Sequence, residues 1–361
     1  MLHPIMKGIS VIIVSWNTRE LLKGCLDSIR ASGGPLVQEV IVVDNASSDG
    51  SPEMVAEQFP DVKVIRSEEN LGFARANNLG LERARGSWLA LVNSDVLVHP
   101  GCFQRLVDYL AGHTEAGLVG PAVIGGDGRL QPTSRRLPTI RDTACRSLAL
   151  DNIVPRWPLF GGQTSRHQDS ARPTEVEVLS GCFWVARREA VAQVGGLDER
   201  FFFYAEDIDW CKRFGDAGWK VIYVPEATAT HFGGGSSARA PLRYSIEMLR
   251  ANFAYWRKYR GAPGVVMFFL LSVLHHLVRL LLRGTQTVFG GDSDSGYKFR
   301  RSLVCLRWLL TGTGTMQEGG GQPVNRDKTT VCVLKPTLRL KNGQAPSRSV
   351  ETGSKTGNYL G

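Results

Sequence analysis

Between residues 9 and 123 the chain alternates short, predominantly apolar runs with helix-like stretches, and that alternation limits the fold more than any other feature. The runs are ISVIIVS (Ile9 to Ser15), EVIVVD (Glu39 to Asp44), VKVIRS (Val62 to Ser67), SWLALVN (Ser87 to Asn93) and GLVGPAV (Gly117 to Val123). Continuous apolar runs of this length suit strands buried on both faces, whereas half-exposed strands would alternate polar and apolar residues. The stretches between them, Thr18 to Ala31, Ser51 to Gln58, Phe73 to Ala84 and Gly101 to Ala111, read as helices. Together they predict an α/β fold, a mostly parallel sheet flanked by helices.

Side chains just past the carboxyl ends of strands line the ligand crevice of such sheets. Asp44 and Asp95 each directly follow an apolar run. A third carboxylate, Asp207 in FFFYAEDIDW (Phe201 to Trp210), follows a run of aromatics. A poorly solvated wall raises carboxylate basicity, so Asp207 is a candidate general base, with Glu206 and Asp209 as alternatives. On a helix from Glu206 to Ala217, residue 209 points well away from 206 and 207. Structural readings stand beside these: Asp44 as a turn residue in DNASSDG with Asp49 as the helix cap, and the acidic trio as a cluster favourable to a helix dipole.

At 361 residues and 43% hydrophobic content the chain is globular, with room for roughly two domains. Seven scattered cysteines without a CxxC pair suggest neither a disulfide framework nor a zinc site, and fit a reducing compartment. MLHPIMKG does not read as a signal peptide. Absence of GxxxxGK[ST] and GxGxxG removes the main support for kinase-like, ATPase and dinucleotide-dependent readings. The Pro- and Arg-rich stretch from Pro132 to Pro173 lacks a period and reads as a variable loop or lid, and residues 311–361 read as a disordered tail.

Charge is distributed unevenly. Residues 1–230 carry 24 Lys/Arg against 28 Asp/Glu, whereas residues 231–361 carry 19 against 6. The basic third surrounds GVVMFFLLSVLHHLVRLLLR (Gly264 to Arg283), so an anionic membrane surface is a better partner for it than nucleic acid, whose groove-reading motifs are missing. Val265 to Leu274 is only ten apolar residues, with His275, His276 and Arg279 interrupting its continuation, which favours a helix lying in the interface over one that spans. A core helix or a homo-oligomer contact is the competing reading. Residues 238–310 are accordingly expected to form a membrane-associating helical region, peripheral or single-pass on the cytoplasmic face, after a catalytic domain over 1–237.

VIIVSWN (Val11 to Asn17), VVDNASSDGS (Val42 to Ser51), NLGFARANNLG (Asn70 to Gly80), VNSD (Val92 to Asp95), the block from Ser180 to Trp210 and ATHFGGGSS (Ala229 to Ser237) occur in one order at sensible spacing. In these motifs the chain resembles the family 2 glycosyltransferases of the GT-A fold, and among them the bacterial rhamnosyltransferase-like members that build surface polysaccharides. The resemblance implies an inverting, metal-dependent transfer from a nucleotide sugar, with dTDP-rhamnose the leading donor, to a saccharide or lipid-linked saccharide acceptor in cell-wall or other surface polysaccharide synthesis. It implies Asp207 as base and a nucleotide-sugar site of Val14, Ser15, Asn17, Asp44, Gly72, Asn77, Ser94 and Asp95. Mg²⁺ or Mn²⁺ would be held by Asp95 and His231, with Asn93 standing where the family usually offers the first acid of Asp-x-Asp. The acceptor would meet Gly181, Cys182, Trp184 and Glu206, with Trp184 or Tyr204 stacking on a sugar face. The helix beginning near Phe73 is expected to aim its amides at the donor. The Asn93 departure leaves one other reading, a catalytically inactive polysaccharide-binding or assembly protein on the same fold.

Overall fold

A computed structural model describes residues 6–148, 170–233, 240–288 and 293–312. The expected strands are β1 (Met6–Ser15), β2 (Val37–Asp44), β3 (Lys63–Arg66), β4 (Gly86–Asn93) and β6 (Ala116–Gly125), with the short β5 (Val96–Val98) between the last two. Helices α1 (Arg19–Gly33), α2 (Ser51–Gln58), α3 (Gly72–Arg83) and α4 (Cys102–Gly112) separate them. Along β1, Ile9, Val11 and Ile13 enter a core shared with α1, α2 and α4. Ile12 points the other way, into a core with Ile41, Val43, Leu89, Leu91 and residues of α3. Two-sided burial is why these strands carry no polar alternation.

The later elements are β7 (Ser134–Arg135), α5 (Ile140–Ser147), β8 (Thr174–Glu175), β9 (Val178–Leu179), β10 (Phe183–Arg187), α6 (Arg188–Val194), α7 (Glu206–Asp216) and β11 (Lys220–His231). The sheet runs β3-β2-β1-β4-β10-β6-β11-β5, with β8 on β11 and a separate β7-β9 pair. Its β3-β2-β1-β4 half is parallel, as is the long β6-β11 ladder, while β10 enters antiparallel between β4 and β6. Register then does the positioning. Ser15 pairs with Asp44, Val14 with Asn93, and His231 with Val96, so the carboxyl ends of β1, β2 and β4 and the end of β11 meet at one edge.

Two expectations about the rest of the chain change. The aperiodic stretch after Pro132 contains β7 and α5, whose Thr139 caps it by accepting from the Asp142 amide; residues 149–169 lie outside the described residues. The basic third folds as α8 (Pro241–Val288) and α9 (Ser293–Thr311) packed on each other, α8 breaking at Gly261 (φ 61°) just before Pro263. It is not a separate appendage. Ala251, Tyr255, Trp256 and Phe268 of α8 form one apolar cluster with Phe201 and Ala205, immediately before α7. The tail expected over 311–361 lies, beyond Gly312, outside the described residues.

A buried charge holds α8 to α7. Asp209 has no exposed surface, and its Oδ1 accepts from Lys258 Nζ and, at 2.7 Å, from the Tyr259 hydroxyl, while Oδ2 accepts from Arg213 Nε at 2.8 Å. Lys258 also reaches Asp198 at 2.8 Å. Asp209 is therefore withdrawn from the alternatives for a base: every lone pair facing a donor is in use, away from the crevice. Removing one member of a buried ion pair strands the others. Asp209→Ala is expected to lower the unfolding free energy by about 3 kcal/mol in urea titration; a loss below about 1 kcal/mol, the range of an exposed pair, would show that this cluster does not join the helices.

Candidate active site

A cavity of about 500 Å³ opens at the strand ends. Val14, Trp16, Thr18, Asn93, Ser94 and Asp95 contribute from the β1 and β4 ends, His231 from β11, and Glu206 and Asp207 from the start of α7. Gly72 and Phe73 open α3 in its wall, and Gly181 and Cys182 precede β10 there. A hydroxyl chain knits the floor: Ser15 Oγ lies 3.1 Å from Thr18 Oγ1, which donates to Ser94 Oγ at 2.9 Å.

At one place in this cavity His231 Nε2 lies 3.3 Å from Asp95 Oδ1. Gln131 fixes the ring. Its Nε2 donates to the His231 carbonyl at 2.9 Å, which turns its Oε1 toward His231 Nδ1 at 3.0 Å. Nδ1 must then carry the proton it shares with Oε1, so in neutral histidine the Nε2 lone pair faces a carboxylate oxygen. Two lone pairs at that distance are placed to face one cation. An imidazole and a carboxylate are donors suited to a divalent ion that takes its remaining ligands from phosphate and water. Among the described residues no group of three or more His, Cys, Asp or Glu side chains forms a self-sufficient cage.

The carboxylates at the start of α7 are held by strained backbone. Tyr204 (φ 72°) and Ala205 (φ 65°) both sit in the left-handed region, which costs a non-glycine residue roughly 1–2 kcal/mol. Asp207 pairs with Arg135 Nη2 from β7, and its Oδ1 accepts from its neighbour's amide, Ile208 N, at 2.8 Å. Glu206 is 6% exposed, and its Oε2 has no partner among the described residues. Burial first, and then the Asp207 charge, push the Glu206 carboxyl up to about 8, so at neutral pH it is a protonated acid and a hydrogen-bond donor.

Gly72 explains how α3 is fixed beside these groups. Its φ is 78°, and a Cβ there would lie 2.4 Å from the Phe202 carbonyl, which accepts from Phe73 N at 2.7 Å. The amides expected to face a donor are thus already used: Leu71 N donates to Asn45 Oδ1 at 2.8 Å, Gly72 N to Asn70 Oδ1 at 3.0 Å, and Phe73 N to Phe202. This turn anchors the aromatic segment instead.

Several other residues picked from sequence stand behind the wall. Trp184 is fully buried, its ring 5.2 Å from that of Trp210 and its Nε1 donating to the Leu179 carbonyl at 3.3 Å, so it cannot stack on a sugar; it backs Gly181, where a Cβ would meet it at 3.2 Å. Asn77 is 1% exposed and donates to the Phe73 carbonyl at 2.9 Å. Asn17 (φ 54°) accepts from Ser48 N at 2.8 Å while its own amide donates to Ser47 Oγ, tying β1 to the loop after β2. Asp44 Oδ2 accepts from Ser47 N at 3.1 Å, the turn role; its Oδ1 is buried without a partner among the described residues. Cys182 lines the cavity, yet burial pushes its thiol up to about 12, leaving it unreactive. Sequence reasoning missed Arg135, Arg146, Asn45 and the α8 side chains Tyr244, Met248 and Asn252, all of which line the cavity.

Comparison with solved structures defines the class. A mannosyltransferase from Pyrobaculum calidifontis, in complex with GDP-Man and Mn²⁺, superposes with a TM-score of 0.50 at 18% identity over 86% of this chain and 87% of that one. GalNAc-T7 with UDP, GalNAc and Mn²⁺ gives 0.51 at 16% identity, over 84% and 56%. The fold is that of the GT-A glycosyltransferases. The family model "Glycosyl transferase family 2" matches residues 10–195, and the chain belongs to that family. The N-acetylglucosaminyl-diphospho-decaprenol L-rhamnosyltransferase of Mycobacterium tuberculosis is 33% identical over 229 residues, 60% of this chain and 73% of the relative. Glycosyltransferase AglE of Haloferax volcanii is 26% identical over 307 residues, 78% and 87%. The protein is a glycosyltransferase.

The raised Glu206 carboxyl makes stability depend on pH. A group that holds its proton more tightly when folded stabilises the protein fully below its ordinary value of 4.5, and loses that contribution as pH rises through about 8. Glu206→Gln carries no such proton. Thermal melts should show the wild type losing ground to the variant between these limits, and parallel curves would mean that Glu206 ionises normally.

Proposed function

We propose that this glycosyltransferase moves a sugar, rhamnose from dTDP-rhamnose, onto a saccharide linked through diphosphate to a membrane lipid, with inversion at the anomeric carbon, in cell-surface polysaccharide synthesis. The observation that carries the reading is one cavity holding both the Asp95-His231 pair and the Asp207-Arg135 pair beside a neutral Glu206. The sugar and acceptor are supported by what the mycobacterial relative is named for. The Mn²⁺ in the two structural neighbours supports a divalent cation.

In this mechanism the nucleotide lies against Val14, Trp16 and Ser94, with the unpartnered Asp44 Oδ1 accepting from a ribose hydroxyl or base N–H where Ser15 and Asn17 shape the β1 end. Asp95 and His231 would hold Mg²⁺ or Mn²⁺, which when bound neutralises charge gathering on the leaving diphosphate. The acceptor sugar enters beside Gly181 and Tyr204, and Glu206 donates a hydrogen bond to it. Asp207 takes the proton of the acceptor hydroxyl as that oxygen bonds to the anomeric carbon and the bond to the diphosphate breaks. Arg135, displaced from Asp207 by the entering hydroxyl, offers its own charge to the incoming substrate.

Membrane attachment fits the same acceptor. By length and composition α8 could cross a bilayer. Its second half exposes Val266, Leu270, Leu274, Leu277 and Leu281 along one stripe, joined by Leu303 and Leu310 of α9. A stripe with helical spacing suits an interfacial helix on the cytoplasmic leaflet.

Asp207→Asn is expected to cut kcat by at least about 10²-fold with donor affinity nearly unchanged, and near-normal turnover would remove it from the base role. Asp95→Ala and His231→Ala should each weaken donor binding by calorimetry only when Mn²⁺ is present. Full activity after exhaustive chelation would exclude the metal.

A further inference from the structure

Three side chains of α8 line the catalytic cavity, and the transfer mechanism gives them no part. Tyr244, Met248 and Asn252 stand four residues apart, so they share one face of the helix. That face is fixed relative to the proposed base. Lys258 and Tyr259, further along α8, are bonded to buried Asp209, which sits two residues after Asp207 on α7. The Tyr244 ring also packs edge to face with those of Phe203 and Tyr204, centroids 5.2 and 6.4 Å away, in the turn immediately before Glu206 and Asp207.

The chemistry of this face suits a sugar. Met248 is 47% exposed and offers a pliable apolar surface. Asn252 spends its Nδ2 on the Met248 carbonyl at 2.7 Å, a bond within one helical turn, which keeps Oδ1 for a hydroxyl or N–H donor. A pyranose makes both demands, with apolar C–H faces and a polar rim. A diphosphate calls for cations, and none of the three residues is one. Continuity along the helix then separates acceptor from donor. Past the break at Gly261 the same helix exposes Leu270, Leu274, Leu277 and Leu281. A lipid-linked acceptor has a use for both halves of α8, whereas a nucleotide sugar brings no apolar chain to the second.

We infer that Tyr244, Met248 and Asn252 form the subsite for the acceptor sugar and select which saccharide is accepted. Met248 and the Tyr244 ring meet its C–H face, and Asn252 Oδ1 accepts from one of its ring substituents. This rests on the acceptor class given under the proposed function.

The test reads binding rather than transfer, by NMR of the full chain in detergent micelles with isotope-labelled methionine methyls. Met248→Leu identifies the Met248 signal as the one it removes. The probes are the methyl pyranosides of glucose, N-acetylglucosamine, galactose and mannose and, separately, dTDP with Mn²⁺. At least one glycoside should move the Met248 signal on titration, while dTDP should neither move it nor displace the glycoside. Asn252→Ala should weaken that glycoside about tenfold, the worth of one hydrogen bond. A Met248 signal that no glycoside moves, one that dTDP moves as far, or wild-type affinity in Asn252→Ala overturns the subsite; the first two outcomes are read on the wild-type side chains and do not depend on how the variant folds. A wild type that binds a glycoside in this way but transfers no sugar from any nucleotide donor to its lipid-linked form would overturn the proposed function and leave a saccharide-binding face standing.

Discussion

Asp209 lies fully buried two residues after Asp207, and the three donors that satisfy it, two of them cations, come from two helices far apart in sequence. That arrangement sets the geometry of the strained turn before α7 and of the cavity wall. Arg213 reaches Asp209 from one turn further along α7 and also donates to the Val194 and Gly196 carbonyls, which fixes α7 against the end of α6. Lys258 and Tyr259 reach it from α8. A buried carboxylate left with any donor missing would be strongly destabilising, so α7 and α8 have little freedom to move apart. The side chains at the start of α7 inherit that rigidity, and so does the part of α8 that lines the cavity.

Rigidity is needed because the segment before α7 is strained. Two successive non-glycine residues in the left-handed region, Tyr204 and Ala205, would relax if nothing opposed them. Phe201 and Ala205 are held in the α8 cluster on one side, and the Phe202 carbonyl is held by Phe73 N on the other. Only a glycine at 72 lets α3 come close enough for that second tie. The turn so held presents Glu206 and Asp207 side by side, and burial, with the Asp207 charge beside it, raises the Glu206 carboxyl. Asp207 meanwhile pairs with Arg135.

The parts of this architecture legible in the sequence are those fixed by local pattern. Strands buried on both faces announce themselves as continuous apolar runs, so β1, β2, β4 and β6 and the helices between them fall where expected, α2 to the residue. Positions at strand ends were legible for the same reason: Asp95 and Asn93 follow apolar runs that the sheet aligns. What the pattern did not hold is which partner occupies a given group. The α3 amides and the Trp184 ring look available in one dimension, and are consumed by Phe202, Asn70 and Trp210 in three. Arg135 and Arg146 lie in a stretch without a period, where two-residue strands and a two-turn helix leave no signal. Tyr244, Met248 and Asn252 were hidden by the strongly apolar second half of their own helix, which suggested a region apart from the catalytic domain.

Asn93 stands where the resemblance leads one to expect an acid, and the charges around it bear on that difference. The cavity already holds the carboxylates of Asp95 and Asp207, against which stand Arg135 and Arg146, while Glu206 contributes no charge near neutral pH. The ionic groups are close to balance before a substrate enters. Another carboxylate at 93 would tip the cavity negative where the proposed mechanism puts the nucleotide diphosphate. Asparagine keeps a polar amide at the end of β4 without that repulsion, and in the proposed mechanism Asp95 and His231, 3.3 Å apart, take the cation.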